Sequence, residues 1–328
     1  MFKKLLFITG HRKSGTTMFA NLFDGHKDFL VYPSDICLLY AYYPYFIQQK
    51  LNFKIKKERI LHIINKDLSS VVNEHNLKNI FNLSKMLRLV EKKLNKKNIN
   101  NIRKILNIIF SSYENSLSNK RKYKYFVVKE TSADIFLNKI FTKKDHIKFL
   151  HLIRDPRDNY ASLKSGVKNY YRKLGENENK TLFSLIHRAK LDFNFIEINK
   201  SIFGKENYKE IKFEELTLKS KKIMINICKF LKVKFNASLL QPTILGQNTK
   251  GNNYEGESFF NISSKNVDRW KERINKNETQ LIEFNFQNEM KKFNFKLNYD
   301  LNKIDFKILS DFYEWTNYNY FYYDSFKK

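Results

Sequence analysis

Cysteine is almost absent: Cys37 and Cys228 lie far apart and have no CxxC or Cys/His companions. That excludes a disulfide framework and a cysteine-ligated zinc site, and suits two small buried thiols in a reduced compartment. Four prolines and nine glycines are too few for long disordered linkers. Acidic residues are also short, with 33 Asp+Glu against 61 Lys+Arg and a formal net charge of +28. The basic residues are spread along the chain, with no dense run and no arginine-rich tract. The charge therefore reads as a moderately positive surface that favours anionic ligands. A non-catalytic polyanion binder is the competing reading of the same number. Long hydrophobic runs are missing too. The opening MFKKLLFITGHRK has about five apolar residues before Gly10, short of the roughly 7–15 of a signal-peptide core. Residues 29–47 are apolar, but Pro33, Asp35 and Pro44 interrupt them, which argues against a membrane span. The expectation is a soluble, cytoplasmic protein.

Apolar residues are plentiful, at 42% of the chain with 16% aromatic, enough to fill the core of one domain spanning 1–328. Residues 3–9 form an apolar run ending at Thr9-Gly10, the pattern of a buried parallel strand. Helical spacing begins at Thr16, with Met18, Phe19, Leu22 and Phe23 on one side. From 54 to 118, apolar residues such as Ile60, Ile64, Leu68, Leu83, Leu87, Val90, Ile102, Ile105 and Ile109 recur at helical spacing among asparagine and lysine. This predicts an inserted set of two or three amphipathic helices. Strands are then expected at 124–130, 147–153 and 208–216, and helices at 134–142, after Asp155-Pro156, at 181–201 and at 217–231. A polar loop follows at 246–264. Two or three helices and an aromatic-rich extension at 302–328 close the chain. Strands alternating with helices imply an α/β fold, a mostly parallel central sheet flanked by helices on both faces.

Two stretches carry chemistry. Gly10-His-Arg-Lys-Ser-Gly15 has the glycine spacing of a phosphate-binding P-loop between a strand and a helix. Backbone amides of such a turn, with the helix start behind it, make an anion site. Thr16 stands where an ATP-binding loop carries lysine, while Lys13 sits inside the loop beside the hydroxyls of Ser14, Thr16 and Thr17. Moving the charge forward suits a shorter anion. The second stretch is LIRDPRDNYASLKS, in which Arg154 ends a strand and Ser162 lies two turns into the next helix. A guanidinium at that position can grip a phosphate. Ligands of open parallel sheets bind at the same edge. Two anion sites there suggest one ligand with two separated anionic groups.

With these motifs the sequence resembles the sulfotransferase superfamily that uses 3′-phosphoadenosine-5′-phosphosulfate (PAPS), in its bacterial, carbohydrate-type branch. RKSGTT is similar to that family's 5′-phosphosulfate loop and RDPRDNYAS to its 3′-phosphate element. YKEIKFEEL and the PTILGQNTKGNNYEGESFFNIS…VDRWKERI segment resemble later parts of the family pattern. The resemblance implies that Arg12, Lys13, Ser14, Gly15, Thr16 and Thr17 surround the 5′-phosphosulfate. It likewise places Arg154 and Ser162 on the 3′-phosphate, with Lys250 and Gly251 reaching the nucleotide. It implies PAPS as co-substrate and PAP as product, no metal requirement, and an acceptor hydroxyl on a glycan. Lys13 is then the group that stabilises the leaving oxygen. The cytosolic branch places a histidine base after the third strand. This chain has Lys129-Glu130-Thr131 there, so Glu130 is the candidate base, or alternatively a partner that orients a lysine. Asp35 is the other candidate, as base or acceptor-binding residue, with Lys129 beside the acceptor. A P-loop kinase or nucleotide hydrolase, with Asp155 as a magnesium ligand, is the alternative enzyme. Against it, Asp155 precedes Pro156 and reads as a helix cap.

Overall fold

The computed structural model describes residues 4–42, 51–120, 122–145, 147–167, 171–174, 177–249, 261–304, 307 and 309–315. In chain order the elements begin β1 (Lys4–Thr9), α1 (Thr16–Asn21), β2 (Phe29–Asp35), α2 (Phe53–Glu74), α3 (Leu83–Lys93), α4 (Ile102–Ser116), β3 (Tyr125–Lys129) and α5 (Asp134–Ile140). They continue β4 (Lys148–Ile153), α6 (Pro156–Val167), α7 (Glu178–Phe203), β5 (Tyr208–Lys212), α8 (Phe213–Leu218) and α9 (Ser220–Leu231). A short hairpin of β6 (Thr243–Ile244) and β7 (Gln247–Asn248) precedes α10 (Trp270–Arg273) and α11 (Lys276–Lys292).

The five large strands form one sheet in the order β2-β3-β1-β4-β5, and every pairing in it is parallel. Alternation along each strand sends side chains to opposite faces. Leu5 and Phe7 of β1, Phe126 and Val128 of β3, and Phe149 and Ile153 of β4 join one apolar cluster. Leu6, Ile8, Val127, Leu150 and Leu152 join the other. Each such side chain, fully buried, contributes about 1.5–3 kcal/mol, so both faces must be covered. Helices α1, α8 and α9 cover the face that carries Phe19, Leu216, Met224 and Leu231. The remaining long helices cover the other face.

Between β2 and β3, α2, α3 and α4 present Ile60, Ile64, Leu68, Met86, Val90, Ile105 and Ile109 to the core. Asparagine, abundant in this segment, caps all of them: the side chains of Asn52, Asn82 and Asn101 accept the N–H of Ile55, Lys85 and Lys104. Phe110 stacks on Phe126 of the sheet at 3.9 Å between ring centroids, which docks α4 on β3.

One expected strand is shorter than its sequence pattern. YKEIKFEEL leaves the sheet after Lys212 and turns into α8, because Phe213 packs over the glycine loop and Leu216 continues a helical stripe. The expected helix at 217–231 is correspondingly broken at Lys219 and restarts as α9.

Candidate active site

The sheet brings the C-terminal ends of β1, β3 and β4 side by side, and the chemistry-bearing residues follow those ends. After Thr9 the chain turns over Gly10 at a φ of 148°, where a Cβ would lie 2.4 Å from the Leu152 carbonyl oxygen. Only glycine permits so close a crossing of β4. The Ser14 N–H and Oγ both donate to the His11 carbonyl, at 3.0 and 2.6 Å, and close the turn. Lys13 takes a left-handed φ of 67°. At Gly15, with a φ of 94°, a Cβ would meet the Phe213 ring at 2.6 Å. The loop is thus held from behind by β4 and α8.

Arg154, 8% exposed, leaves the end of β4 and donates to the Lys13 carbonyl at 2.6 Å and the Asn266 carbonyl at 2.8 Å. Its guanidinium lies over the Phe213 ring, 4.7 Å from the centroid. The two anion motifs, 141 residues apart in sequence, are therefore in direct contact. Arg154 Nε is buried with no acceptor, a donor still available to an anion in this cradle. Asp155 accepts the Arg157 N–H at 2.8 Å, the cap expected ahead of Pro156. It also takes Nε of Arg157 at 3.0 Å. Ser162 lies on α6, half-buried, and among the described residues has no hydrogen bond to Arg154 or to the loop.

His11 is fixed by Asn159, whose Oδ1 lies 2.7 Å from Nδ1 and whose Nδ2 donates to the Arg12 carbonyl at 2.9 Å. Burial, Arg188 and Arg12 push its pKa down to about 3, so the ring is neutral at physiological pH. Desolvation, Arg154 and Lys129 lower Lys13 to about 8. Burial is the larger cause and the two cations add to it, so an anion bound beside Lys13 would favour the charged lysine.

At the end of β3, Lys129 Nζ donates to the Asp35 carboxylate and, at 3.1 Å, to Thr17 Oγ1. Asp35, the last residue of β2, also accepts the Thr131 N–H at 3.3 Å. The lysine partner is thus Asp35. Glu130, 4% exposed, instead accepts the backbone N–H of Cys37 at 2.5 Å. Burial and the neighbouring Asp35 raise the Glu130 pKa well above the ordinary range, against the pull of Lys129.

Glu130 opens onto a cavity of about 300 Å³ walled by Leu39, Tyr42, Ile102, Ile135, Phe136 and Leu191, with Ser132, Lys139, Arg188 and Asp192 among its polar lining. A second cavity, of about 20 Å³, lies against His11, Ser14, Arg154 and Asn159. Asp192 of α7 lines both. It is 4% exposed, accepts from Ser132 Oγ at 3.2 Å, and is raised to about 7 by burial and Asp134.

A family model described as "Sulfotransferase family" matches residues 6–237. The chain belongs to the sulfotransferase family. Enzymes of this family are PAPS-dependent. The fold of this sulfotransferase is similar to the sulfotransferase domain from the curacin biosynthetic pathway, at 20% identity and a TM-score of 0.55 over 90% of this chain and 99% of that one. It is similar also to the sulfotransferase domain from the Synechococcus PCC 7002 olefin synthase, at 18% identity and a TM-score of 0.57 over 90% of this chain and 96% of that one. No curated protein matches the chain in sequence.

Asp134 and His151 belong to a buried structural network in the sulfotransferase. His151 shares Asp134 Oδ1 with the Tyr208 hydroxyl, at 2.8 and 2.9 Å, and Thr9 Oγ1 donates to Oδ2 at 2.8 Å. That network ties β1, β4, β5 and α5 together behind the loop. Lys250 and Gly251 lie outside the described residues. Among the described residues no group of three or more His, Cys, Asp and Glu side chains could hold a metal ion, and no helix is long and apolar enough to cross a membrane. Arg188 and Asp192 escape a reading of the sequence, because polar and apolar residues are mixed around α7 and mark out no distinct polar face. Their i, i+4 spacing was the available signal.

Proposed function

We propose that this sulfotransferase transfers the sulfuryl group of PAPS to an acceptor hydroxyl at the C-terminal edge of the sheet. The observation that carries the reading is the contact between Arg154 and the Lys13 carbonyl. It puts two anion motifs in one cradle, as a ligand with a 5′-phosphosulfate and a 3′-phosphate requires. In this reading Arg12 to Thr17 hold the phosphosulfate, Arg154 and Ser162 hold the 3′-phosphate, and Lys250 and Gly251 reach the nucleotide.

Sulfuryl transfer is an in-line displacement, in which preorganised donors must meet the charge that grows on the leaving phosphate oxygen. Lys13 supplies that charge. Glu130 accepts the acceptor's proton, and the raised pKa makes its carboxylate a stronger base. Asp35 is less suited to that task, since its carboxylate is already committed to Lys129. Lys129 in turn braces Thr17 beside the acceptor.

We read the chain as one catalytic domain spanning 1–328, with 54–118 as a helical insertion that helps wall the acceptor cavity through Ile102 and 302–328 as an extension. The free thiols of Cys37 and Cys228 suit a cytoplasmic setting. A sugar hydroxyl is the acceptor implied by the resemblance to carbohydrate-type members. The apolar wall of the cavity favours a different acceptor body, since sugars need many polar partners. The test is transfer of ³⁵S from labelled PAPS to a panel of glycans, phenols, steroids and fatty alcohols. Labelled product with equimolar PAP supports the reading. Failure to bind PAP would overturn it.

A further inference from the structure

Helix α2 of the insertion reaches Glu130 through a short chain of hydrogen bonds. The segment leaving β2 wraps the end of β3: the Ile36 N–H donates to the Lys129 carbonyl at 3.0 Å, and the Cys37 N–H donates to Glu130 Oε2 at 2.5 Å. To aim that N–H, Cys37 takes a φ of 46°. A left-handed backbone costs a residue with a Cβ about 1–2 kcal/mol, so the surroundings must hold it there. Two contacts with α2 do so. Ile36 and Leu38, on either side of Cys37, are buried in the same apolar cluster as Ile64 and Leu68 of α2. One turn on from Ile64, half-buried Asp67 accepts a hydrogen bond from the Cys37 thiol.

The charged and titratable groups around Glu130 are Tyr32 and Asp35 of β2, Cys37, Lys129 of β3 and Asp67 of α2. Lys139 of α5, with Arg188 and Asp192 of α7, lines the same cavity. Asp35 and Asp67 oppose ionisation of Glu130, whereas Lys129 and the Cys37 N–H favour it. Cys37 and Asp67 belong to neither anion motif, and the sulfuryl-transfer steps above give them no task.

Resting on the reading of Glu130 as the base, we infer that Asp67 is a positioning residue for it. Asp67 holds the Cys37 thiol, the thiol holds the turn, and the N–H of that turn fixes the Glu130 carboxylate through Oε2. The insertion thereby sets the base as well as helping to wall the cavity. Asp67 also acts as a neighbouring anion, which strengthens the hold of Glu130 on a proton.

The chain has two cysteines, so ¹⁵N-cysteine labelling of the full-length protein gives two amide signals, and Cys228→Ala shows which belongs to Cys37. An N–H that donates to a carboxylate is deshielded. We expect the Cys37 signal to lie downfield, to move upfield as pH falls through the Glu130 pKa, and to lose that step in Glu130→Gln. Asp67→Asn keeps an acceptor oxygen but loses the charge. Its signal should stay downfield while the titration moves to lower pH by roughly half a unit, the scale of one nearby charge. Asp67→Ala removes the acceptor as well, and the signal should move upfield. With PAPS and 2-naphthol, kcat should fall about tenfold or more in Asp67→Ala. In Asp67→Asn it should stay near the parental value above the acid limb, with PAP affinity unchanged in both variants. A Cys37 signal that is the same in parent and Asp67→Ala, or an Asn variant no better than the Ala variant, would overturn the inference. Two controls separate the levels. Absence of PAP binding by the parent strikes the sulfuryl-transfer reading, and an acid limb that survives Glu130→Gln strikes the base and this inference with it. With PAP binding and the Glu130 limb intact, unmoved Asp67 variants strike only the positioning role.

Discussion

In the proposed mechanism Lys13 and Glu130 divide the work of the site, and each carries a perturbed proton affinity that a pH profile can read. Lys13 must be protonated to meet the leaving oxygen, and its pKa is depressed to about 8. In the free enzyme its charge is present below that value and lost above it, so kcat/KM for PAPS should fall as pH rises through about 8. A bound phosphosulfate favours the charged lysine, so the corresponding limb of kcat should lie at higher pH. Glu130 must be ionised to accept a proton, and its pKa is raised. The acid limb should therefore sit above the ordinary carboxylate range and vanish in Glu130→Gln. Lys13→Ala should cost roughly 10²–10³ in kcat, the scale of a lost oxyanion donor, with PAP affinity falling much less. Steady-state rates and a PAP titration on that variant check both halves. Unchanged turnover would remove Lys13 from the mechanism.

Among the elements, the loop depends on its backbone and α6 on a buried ion cluster. Gly15→Ala puts a methyl 2.6 Å from the Phe213 ring at a φ of 94°, so either α8 shifts or the loop opens. PAP affinity should drop at least tenfold by calorimetry while far-UV circular dichroism stays native. Arg157 donates to Asp155 and, at 2.6 Å, to Glu283 of α11, with its guanidinium 4.1 Å from the Trp270 ring centroid. Both carboxylates are buried. Arg157→Met would strand two charges inside the protein, at a cost of about 3–5 kcal/mol. A urea melt measures it, and a loss below about 1 kcal/mol would mean that the cluster is dispensable. These elements differ in how far they were legible beforehand. The β1–loop–α1 unit shows in sequence because an apolar run, two glycines and a helical stripe coincide in a short window. The end of β5 does not, because EIKFE alternates well enough for a strand to run past Lys212 and only the packing of Phe213 on Gly15 decides. Glu283 was invisible for a related reason: nothing near it in sequence reveals an arginine 126 residues away.

For the whole molecule, the net charge of +28 suits either a polyanion binder or an enzyme with a buried anion site, and salt dependence separates the two. Counterion release makes polyanion affinity fall by about 10³–10⁵ between 50 and 200 mM salt when six to ten phosphates are engaged. Arg154, at 8% exposure, is far less screened, so PAP affinity should fall only several-fold over that range. The parallel sheet and the edge where ligands gather could be anticipated from alternating strands and helices. The proposed acceptor cavity could not, because the segment after β2, α4, the turn after β3, α5 and α7 each contribute only a few residues to it, and their apolar side chains look like ordinary core until folded.

The central claim is that the glycine loop and Arg154 form one cradle for a nucleotide phosphorylated at both 5′ and 3′ positions. Calorimetric titration with PAP, 5′-AMP and ATP-Mg tests it most directly. The account predicts that PAP binds at least a hundredfold tighter than 5′-AMP, that the difference shrinks in Arg154→Ala, and that ATP-Mg does not displace it. Binding of ATP-Mg with no heat from PAP would contradict it.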